Sequence, residues 1–412
     1  MSAFKLGLLL FITVVSSSPS FLSRYYDGFS LNTIRNVDYN PNGVVAKQKA
    51  MFKYAHLVNS DASVFDTAPG EVSGFVEAND REWLCPVGIG TPAQTVNLDL
   101  DTGSADLDSD AASVDSWVFS PDSGTRKGQL GNRRVYDAAN STTSGPINGS
   151  SWSISYGDGS YAGGKVYTDV VQIAGLRVSN ATVEVASSYS SNLVKDDAPL
   201  SGLMGLAINL TTTATPAMPP MLSQLKAQNI KHIAVDLQFH ANGTYTFGTV
   251  DHSAYLGKMT YRPVKPGKGY WWIELQTMRV GQSNKTMIHS WDTIVDTGTS
   301  LFLGPSDIVR AYYKAVPTAE YSQGDNAYVF PCNTTLPDFH FGFSNDWSEF
   351  TVPGRFMNYS IAPVAGAPWC YGGIQESNMG FSIMGDVFLK AVYLDFNVAN
   401  QTVGFASKPL YI

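Results

Sequence analysis

The triplet Asp-Thr-Gly occurs twice, as Asp101-Thr102-Gly103 and as Asp296-Thr297-Gly298, each after an apolar run and each followed by Ser or Thr. A single copy is an ordinary turn, because Asp and Gly both favour turn geometry. Two copies in matched contexts, 195 positions apart, constrain the chain much further. Each sits where a buried strand would end. The first is followed by Leu200-Ser201-Gly202-Leu203-Met204-Gly205-Leu206 and the second by Phe381-Ser382-Ile383-Met384-Gly385-Asp386. A strand, an acid triplet and a later apolar-apolar-Gly strand, found in both halves, mark one unit used twice.

At 412 residues the chain exceeds the size at which one core stops growing, so two lobes are expected. An aromatic content of 12%, 37 Gly and 21 Pro read as strands and turns. Apolar stretches at Trp83 to Ile89, Val96 to Leu100, Val166 to Ile173, Ile233 to Phe239 and Val392 to Phe396 are the expected strands, and the fold class is all-β. A net charge of −8 without a basic cluster argues against nucleic acid as a partner. The six histidines form no metal spacing, and neither H-E-x-x-H nor G-x-S-x-G is present, so the sequence implies no metal, no cofactor and neither a zinc nor a serine hydrolase.

Lys5, the apolar run Leu6 to Val15 and the small residues Ser16-Ser17-Ser18-Pro19-Ser20 follow the order of a secretory signal over residues 1–20. The run is too short to span a bilayer, so no membrane anchor is expected. Sequons at Asn140, Asn148, Asn180, Asn209, Asn242, Asn284, Asn333, Asn358 and Asn400 fit a secreted, extracellular glycoprotein, with an acidic vacuole-like compartment as the alternative. The next segment carries Arg24, Arg35, Lys47, Lys49, Lys53 and His56. Without residues 1–70 the remainder holds 21 Lys and Arg against 31 Asp and Glu. A cationic leader on an anionic body predicts electrostatic docking, with body carboxylates holding Lys47, Lys49 and Lys53 until acid neutralises them. A flexible linker is the other reading.

Three cysteines leave room for one bridge. Cys332 and Cys370 form the best pair, and closing their loop would remove about 3 to 4 kcal/mol of unfolded-state entropy. Cys85, among Trp83, Leu84, Pro86 and Val87, reads as a buried inert thiol.

Hydrolysis by two carboxylates needs one ionised and one protonated, so that the pair activates a shared water and protonates the carbonyl oxygen. Two close carboxylates cannot both ionise cheaply, and their titration belongs to the pair. Gly103 and Gly298 let backbone amides approach Asp101 and Asp296. Thr102 and Thr297 offer hydroxyls for a brace between lobes, and Ser104 and Thr299 can bond the outer carboxylate oxygens. The alternative is that these hydroxyls merely satisfy turn backbone.

Ile89-Gly90-Thr91-Pro92, both Asp-Thr-Gly segments, Trp152 to Ser160, Gly202 to Ala207 and Ile383-Met384-Gly385-Asp386 together resemble a pepsin-family aspartic endopeptidase, in pattern most similar to secreted fungal, penicillopepsin-like members. The resemblance covers nearly the whole chain. It implies a bilobal fold with one aspartate per lobe, a cleft for protein or peptide substrates, a hairpin flap, acid activity and synthesis as a zymogen. By this resemblance residues 1–20 are signal, 21–70 propeptide, 71–262 the first lobe and 263–412 the second, in a chain expected to be a monomer. Tyr156 and Gly157 match the flap, whose tyrosine covers substrate, and Trp117 matches the tryptophan that shares a hydrogen bond with the tyrosine's hydroxyl. Asp158 and Ser160 match fungal flap positions that admit lysine to the primary pocket, while a solvated turn is the other reading of Asp158. Lys53-Tyr54 resembles the propeptide pair that sets an ammonium between the aspartates, or is an ordinary pair on a helix face.

The chain departs from the pattern between Asp106 and Asp115, where about nine extra residues precede Ser116-Trp117-Val118-Phe119. An acidic surface loop and a stretch retained from a misplaced gene boundary both account for it. A calcium loop does not, since Ala111 replaces the required Gly and Trp117 the bidentate Glu. The insertion puts the position of Trp117 in question and leaves a catalytically impaired pepsin-fold binding or inhibitor-like protein as the alternative function. Ser201, where Asp is common, is a minor departure.

Overall fold

Alternation decides the strands. In Gln94–Asp101 the side chains of Val96, Leu98 and Leu100 are buried while Asn97 and Asp99 are half-buried, the period of two that a half-covered pleated strand imposes. The computed structural model describes residues 28–35, 41–58, 83–104, 106–108, 111–113, 116–121, 130–131, 133–155, 160–195, 199–208, 212–283, 286–344, 348–362 and 368–410. Each of the five apolar stretches singled out in the sequence lies in a strand, with Phe239 just past the end of its own. Helices are short and few among the described residues, the longest being Gly43–Lys53 in the leader.

The first lobe is built on a nine-stranded sheet and the second on a seven-stranded one, and the same four-strand unit lies in both. In the first, Gln94–Asp101 pairs in parallel with Gly202–Gly205, which runs antiparallel to Ser116–Phe119, which in turn is parallel to Leu176–Tyr189. In the second, Met287–Val295, Ser382–Met384, Phe302–Gly304 and Ile374–Glu376 repeat that sequence of parallel, antiparallel and parallel pairings. Both acid triplets therefore leave the end of the strand that flanks an apolar-apolar-Gly strand.

A third, six-stranded sheet takes strands from both halves. Its order is Phe29–Asn32, Ala241–Phe247, His232–Gln238, Val392–Asn397, Thr402–Ser407 and Leu256–Pro263. The last of these runs across the boundary expected at residue 262, because the sheet is shared rather than owned by one lobe. The leader supplies the edge strand, with Phe29 opposite Phe247 and Asn32 opposite Thr244.

A small sheet of Glu320–Ser322, Ala327–Pro331, Trp369–Gly372 and Asn358–Ile361 stands on the second lobe. The Cys332–Cys370 disulfide, with its Cα atoms 4.9 Å apart, ties it together. Cys85 is a buried free thiol. Within the insertion, Asp106–Asp108 and Ala111–Ser113 form an antiparallel hairpin beside Trp152–Ser155. Asn140, Asn148, Asn180, Asn242, Asn333 and Asn400 are exposed. Asn358 is half-buried and its amide donates to the Cys332 carbonyl at 3.3 Å. Asn209 and Asn284 lie outside the described residues.

Candidate active site

The two triplets meet at the junction of the lobes. Asp101 and Asp296 are both buried, 3% and 0% exposed, so their environment governs their charge. The Thr102 N–H donates to the Thr297 hydroxyl and the Thr297 N–H to the Thr102 hydroxyl, each at 3.0 Å. Each hydroxyl also reaches a carbonyl of the opposite lobe, Thr102 to Val295 at 3.0 Å and Thr297 to Leu100 at 2.6 Å. The side chains thereby satisfy turn backbone and brace the lobes in the same bonds, which joins the two readings the sequence allowed.

Glycine after the threonine is required by space. A Cβ on Gly103 would stand 2.3 Å from Cγ of Asp296, and one on Gly298 would stand 2.1 Å from Cγ of Asp101. Each lobe's glycine is thus the seat of the other lobe's carboxylate. The Gly103 N–H donates to Asp101 Oδ1 at 2.8 Å and the Gly298 N–H to Asp296 Oδ1 at 2.9 Å. The Thr299 hydroxyl bonds Asp296 Oδ2. Ser104, the counterpart of Thr299, is buried and its N–H donates to the Asp101 carbonyl at 3.5 Å.

Between the carboxylates sits an ammonium. Lys53 Nζ lies 2.8 and 2.9 Å from the oxygens of Asp101 and 3.2 and 3.1 Å from those of Asp296. The Tyr54 hydroxyl donates to Asp296 Oδ2 at 2.8 Å, and its ring packs edge-on against Tyr270 and Phe381. Sequence reasoning did not single out Tyr270, whose only local signal is that it stands among other aromatic residues.

Burial pushes the Asp101 carboxyl up to about 6, with Lys53 pulling against it and the Asp296 charge adding to the rise. Burial opposes the charge of Asp296 as well. There Lys53, the bond with Asp101, the Thr299 hydroxyl and the Gly298 N–H outweigh it and hold the group below the usual carboxylate range. Burial likewise works to lower Lys53, but the two aspartates hold its pKa above the ordinary lysine value. Below about pH 6 the site therefore favours a protonated Asp101 beside an ionised Asp296.

The expectation for the other leader lysines is only partly met. Lys47 is buried, but its ammonium bonds the backbone carbonyl of Asn326 at 2.5 Å instead of a body carboxylate. Lys49 is exposed.

Trp117 keeps a strand position despite the insertion before it, paired with Glu184 on one side and Leu203 on the other. It is 2% exposed and stacks on Trp152 with ring centroids 6.2 Å apart. Ser160 is buried at the start of the strand Tyr161–Ile173. Tyr156, Gly157 and Asp158 lie outside the described residues, between the paired strands Trp152–Ser155 and Tyr161–Ile173. Among the described residues no helix is long and apolar enough to cross a membrane.

The sequence profile described as eukaryotic aspartyl protease matches residues 82–408. Endothiapepsin of Cryphonectria parasitica is 38% identical over 397 residues, which cover 92% of this chain and 90% of that protein. Podosporapepsin of Podospora anserina is 40% identical over 336 residues, covering 80% and 75%. Penicillopepsin-3 of Penicillium janthinellum is 37% identical over 383 residues, covering 92% of each. Similarity of this extent, over the part of the chain that holds both acid triplets, means that the chain belongs to the eukaryotic aspartyl protease family and is an aspartic-type endopeptidase, a hydrolase.

Proposed function

We propose that the chain is a secreted endopeptidase that cleaves proteins in acid, is made as a zymogen, and uses a water held between Asp101 and Asp296. The observation that carries this reading is the convergence of both carboxylates on one nitrogen, all four oxygens within 3.2 Å of Lys53 Nζ. With the leader gone, a water takes that place. The ionised carboxylate accepts a proton from it as its oxygen attacks the scissile carbonyl, and the protonated partner donates to the carbonyl oxygen. The glycine amides and the Thr299 hydroxyl fix the carboxylates, while Tyr156, Gly157, Asp158 and Ser160 of the flap, with Trp117 beneath, close over the substrate. Residues 1–20 direct secretion, and residues 21–70 block the site until acid arrives.

The order of protonation sets when the block fails. Asp101 takes up its proton near pH 6, which still leaves Lys53 facing one negative charge. The folded pKa of Asp296 is depressed, so its contribution to the closed leader is present above the ordinary carboxylate value of 3.8 and is lost as pH falls through the lower folded value. Purified precursor, incubated across a pH series with a denatured protein substrate, should begin to shorten and to cleave only below about pH 4. Asp296→Asn should abolish cleavage. Undiminished hydrolysis by that variant, or full activity of unshortened precursor near neutral pH, would overturn the proposal.

A further inference from the structure

Among the described residues, besides the pairing of Ile34–Arg35 with Leu84 and Trp83, three of the leader's contacts with the body differ in chemistry. At its start, Phe29–Asn32 is held by backbone pairing to Ala241–Phe247, and the Thr33 N–H donates to the Gly243 carbonyl at 2.9 Å. At its end, Lys53 and Tyr54 are held by carboxylates. Between them the first turns of the helix Gly43–Lys53 lie on the second lobe's small sheet. The face they present is made of Gly43, Ala46, Lys47 and Ala50, all buried. Small residues let the helix come close: a Cβ on Gly43 would stand 2.2 Å from the Tyr371 ring. One helical turn on from Gly43, the Lys47 ammonium ends on the carbonyl of Asn326, in the turn before Ala327–Pro331.

Acid acts differently on these seats. A backbone carbonyl does not titrate. Burial lowers Lys47 to about 8, against a smaller upward pull from Glu376, so the group is charged at neutral pH and stays so in acid. Because that pKa is depressed, the cost of burying the ammonium is fully incurred by about pH 8, and below it only the smaller pull of Glu376 remains to be lost. Among the described residues, the titratable and charged groups around this seat include Glu376, Arg310, Asp325, Tyr313, Tyr321, Tyr328, Tyr359 and Tyr371. Glu376 is held by Arg310 at 2.9 Å and by the Ser306 hydroxyl at 2.8 Å, and these bonds outweigh burial to keep its pKa below the usual range. Asp325 accepts from the Ser322 hydroxyl at 2.7 Å. None of these carboxylates is a hydrogen-bonding partner of Lys47 among the described residues, so protonating them removes no bond from the seat.

We propose that the leader helix is held by two anchors with opposite responses to acid: Lys53 and Tyr54 on the dyad, which acid releases, and Gly43 and Lys47 on the Asn326–Tyr371 platform, which it does not. This rests on the reading of the leader as an inhibitor, and extends it. Acid lifts the plug while the first half of the helix stays seated, so the opened precursor keeps its leader as a hinged cover until the chain is cut.

Hydrogen exchange on the full-length precursor tests this, because a helix of this length is marginal in water and loses its amide protection when it leaves its seat. The precursor is pulsed at about pH 7 and at about pH 3, with protection referred to the intrinsic rate at each pH and read only on molecules still full length. In the wild type, acid should lower the protection of residues 53–58 by about tenfold or more and leave residues 46–50 protected. In Lys47→Met, which keeps the side chain's bulk, and in Gly43→Val, which drives a side chain into Tyr371, residues 46–50 should lose protection in acid as well. In Lys53→Met, residues 53–58 should already be exposed near neutral pH while residues 46–50 hold. Simultaneous loss of both segments in the wild type, or unchanged acid protection of residues 46–50 in both Lys47→Met and Gly43→Val, overturns the two-anchor proposal. A precursor that is fully active near neutral pH with both segments protected would instead sink the inhibitor reading beneath it.

Discussion

Lys53 donates to both carboxylates; beyond it Asp101 receives the N–H of Gly103, whereas Asp296 receives the N–H of Gly298, the hydroxyl of Thr299 and the hydroxyl of Tyr54. The strands beneath the two acids repeat pairing for pairing, and the threonines of the two turns exchange equal bonds at 3.0 Å. Duplication has therefore placed the carboxylates symmetrically, and the surrounding hydroxyls have made them unequal. Lys53 does most to stabilise the ionised form of Asp296, and three further donors add to it. Asp101, with fewer, is the member that burial can keep protonated.

That contrast can be broken most forcefully at its symmetric part. Gly103→Ala and Gly298→Ala each push a methyl into the opposite carboxylate, and kcat should fall by about a hundredfold or more in either variant, since displacements near 1 Å at reacting groups have that effect. Matched losses would show the seats to be equivalent, and an untouched kcat in either would refute the packing argument. Thr102→Val and Thr297→Val remove the hydroxyl brace and leave buried N–H groups unsatisfied, at a cost of about 1 to 3 kcal/mol each. Because the two hydroxyls share one network, the double variant should lose less than the sum of the singles in denaturant melts.

The asymmetric part is sharpened by Thr299→Ala. Its hydroxyl helps to hold Asp296 low, so removing it raises that pKa, and the acid limb of the mature enzyme's rate profile should move to higher pH. Ser104→Ala, at the equivalent position of the other lobe, should shift that limb less. Equal shifts would mean that the lobes are not differentiated by these hydroxyls. The smallest effect is expected from excising residues 108–116, the insertion of about nine residues after the first acid triplet. Closing the shorter connection should alter stability by less than about 1 kcal/mol with cleavage retained, as thermal melts and a peptide assay would report.

What could be read from the chain alone follows the range of the interactions. The acid triplets, the strands and the later glycine strands were legible because each is a local pattern whose residue types are dictated by turn geometry and alternation. The shared six-stranded sheet was not. It joins residue 29 to residue 247 and residue 232 to residue 397, and no window of sequence contains both partners. Lys53 and Tyr54 stood between two readings for the same reason, since their partners lie 48 and 242 positions away. Lys47 was assigned the wrong kind of partner because charge counting sees carboxylates, and a backbone carbonyl leaves no trace in composition. The form of the insertion was hidden as well, since Asp106–Asp108 and Ala111–Ser113 are too short for alternation to declare them strands.

The position of the disulfide carries one more consequence. Cys370 immediately precedes Tyr371, and Cys332 closes the strand that begins beside Asn326, so one covalent link fastens both halves of the platform on which Gly43 and Lys47 rest. Reducing that bond in the folded chain would therefore loosen the seat of Gly43 and Lys47 while leaving both aspartates untouched.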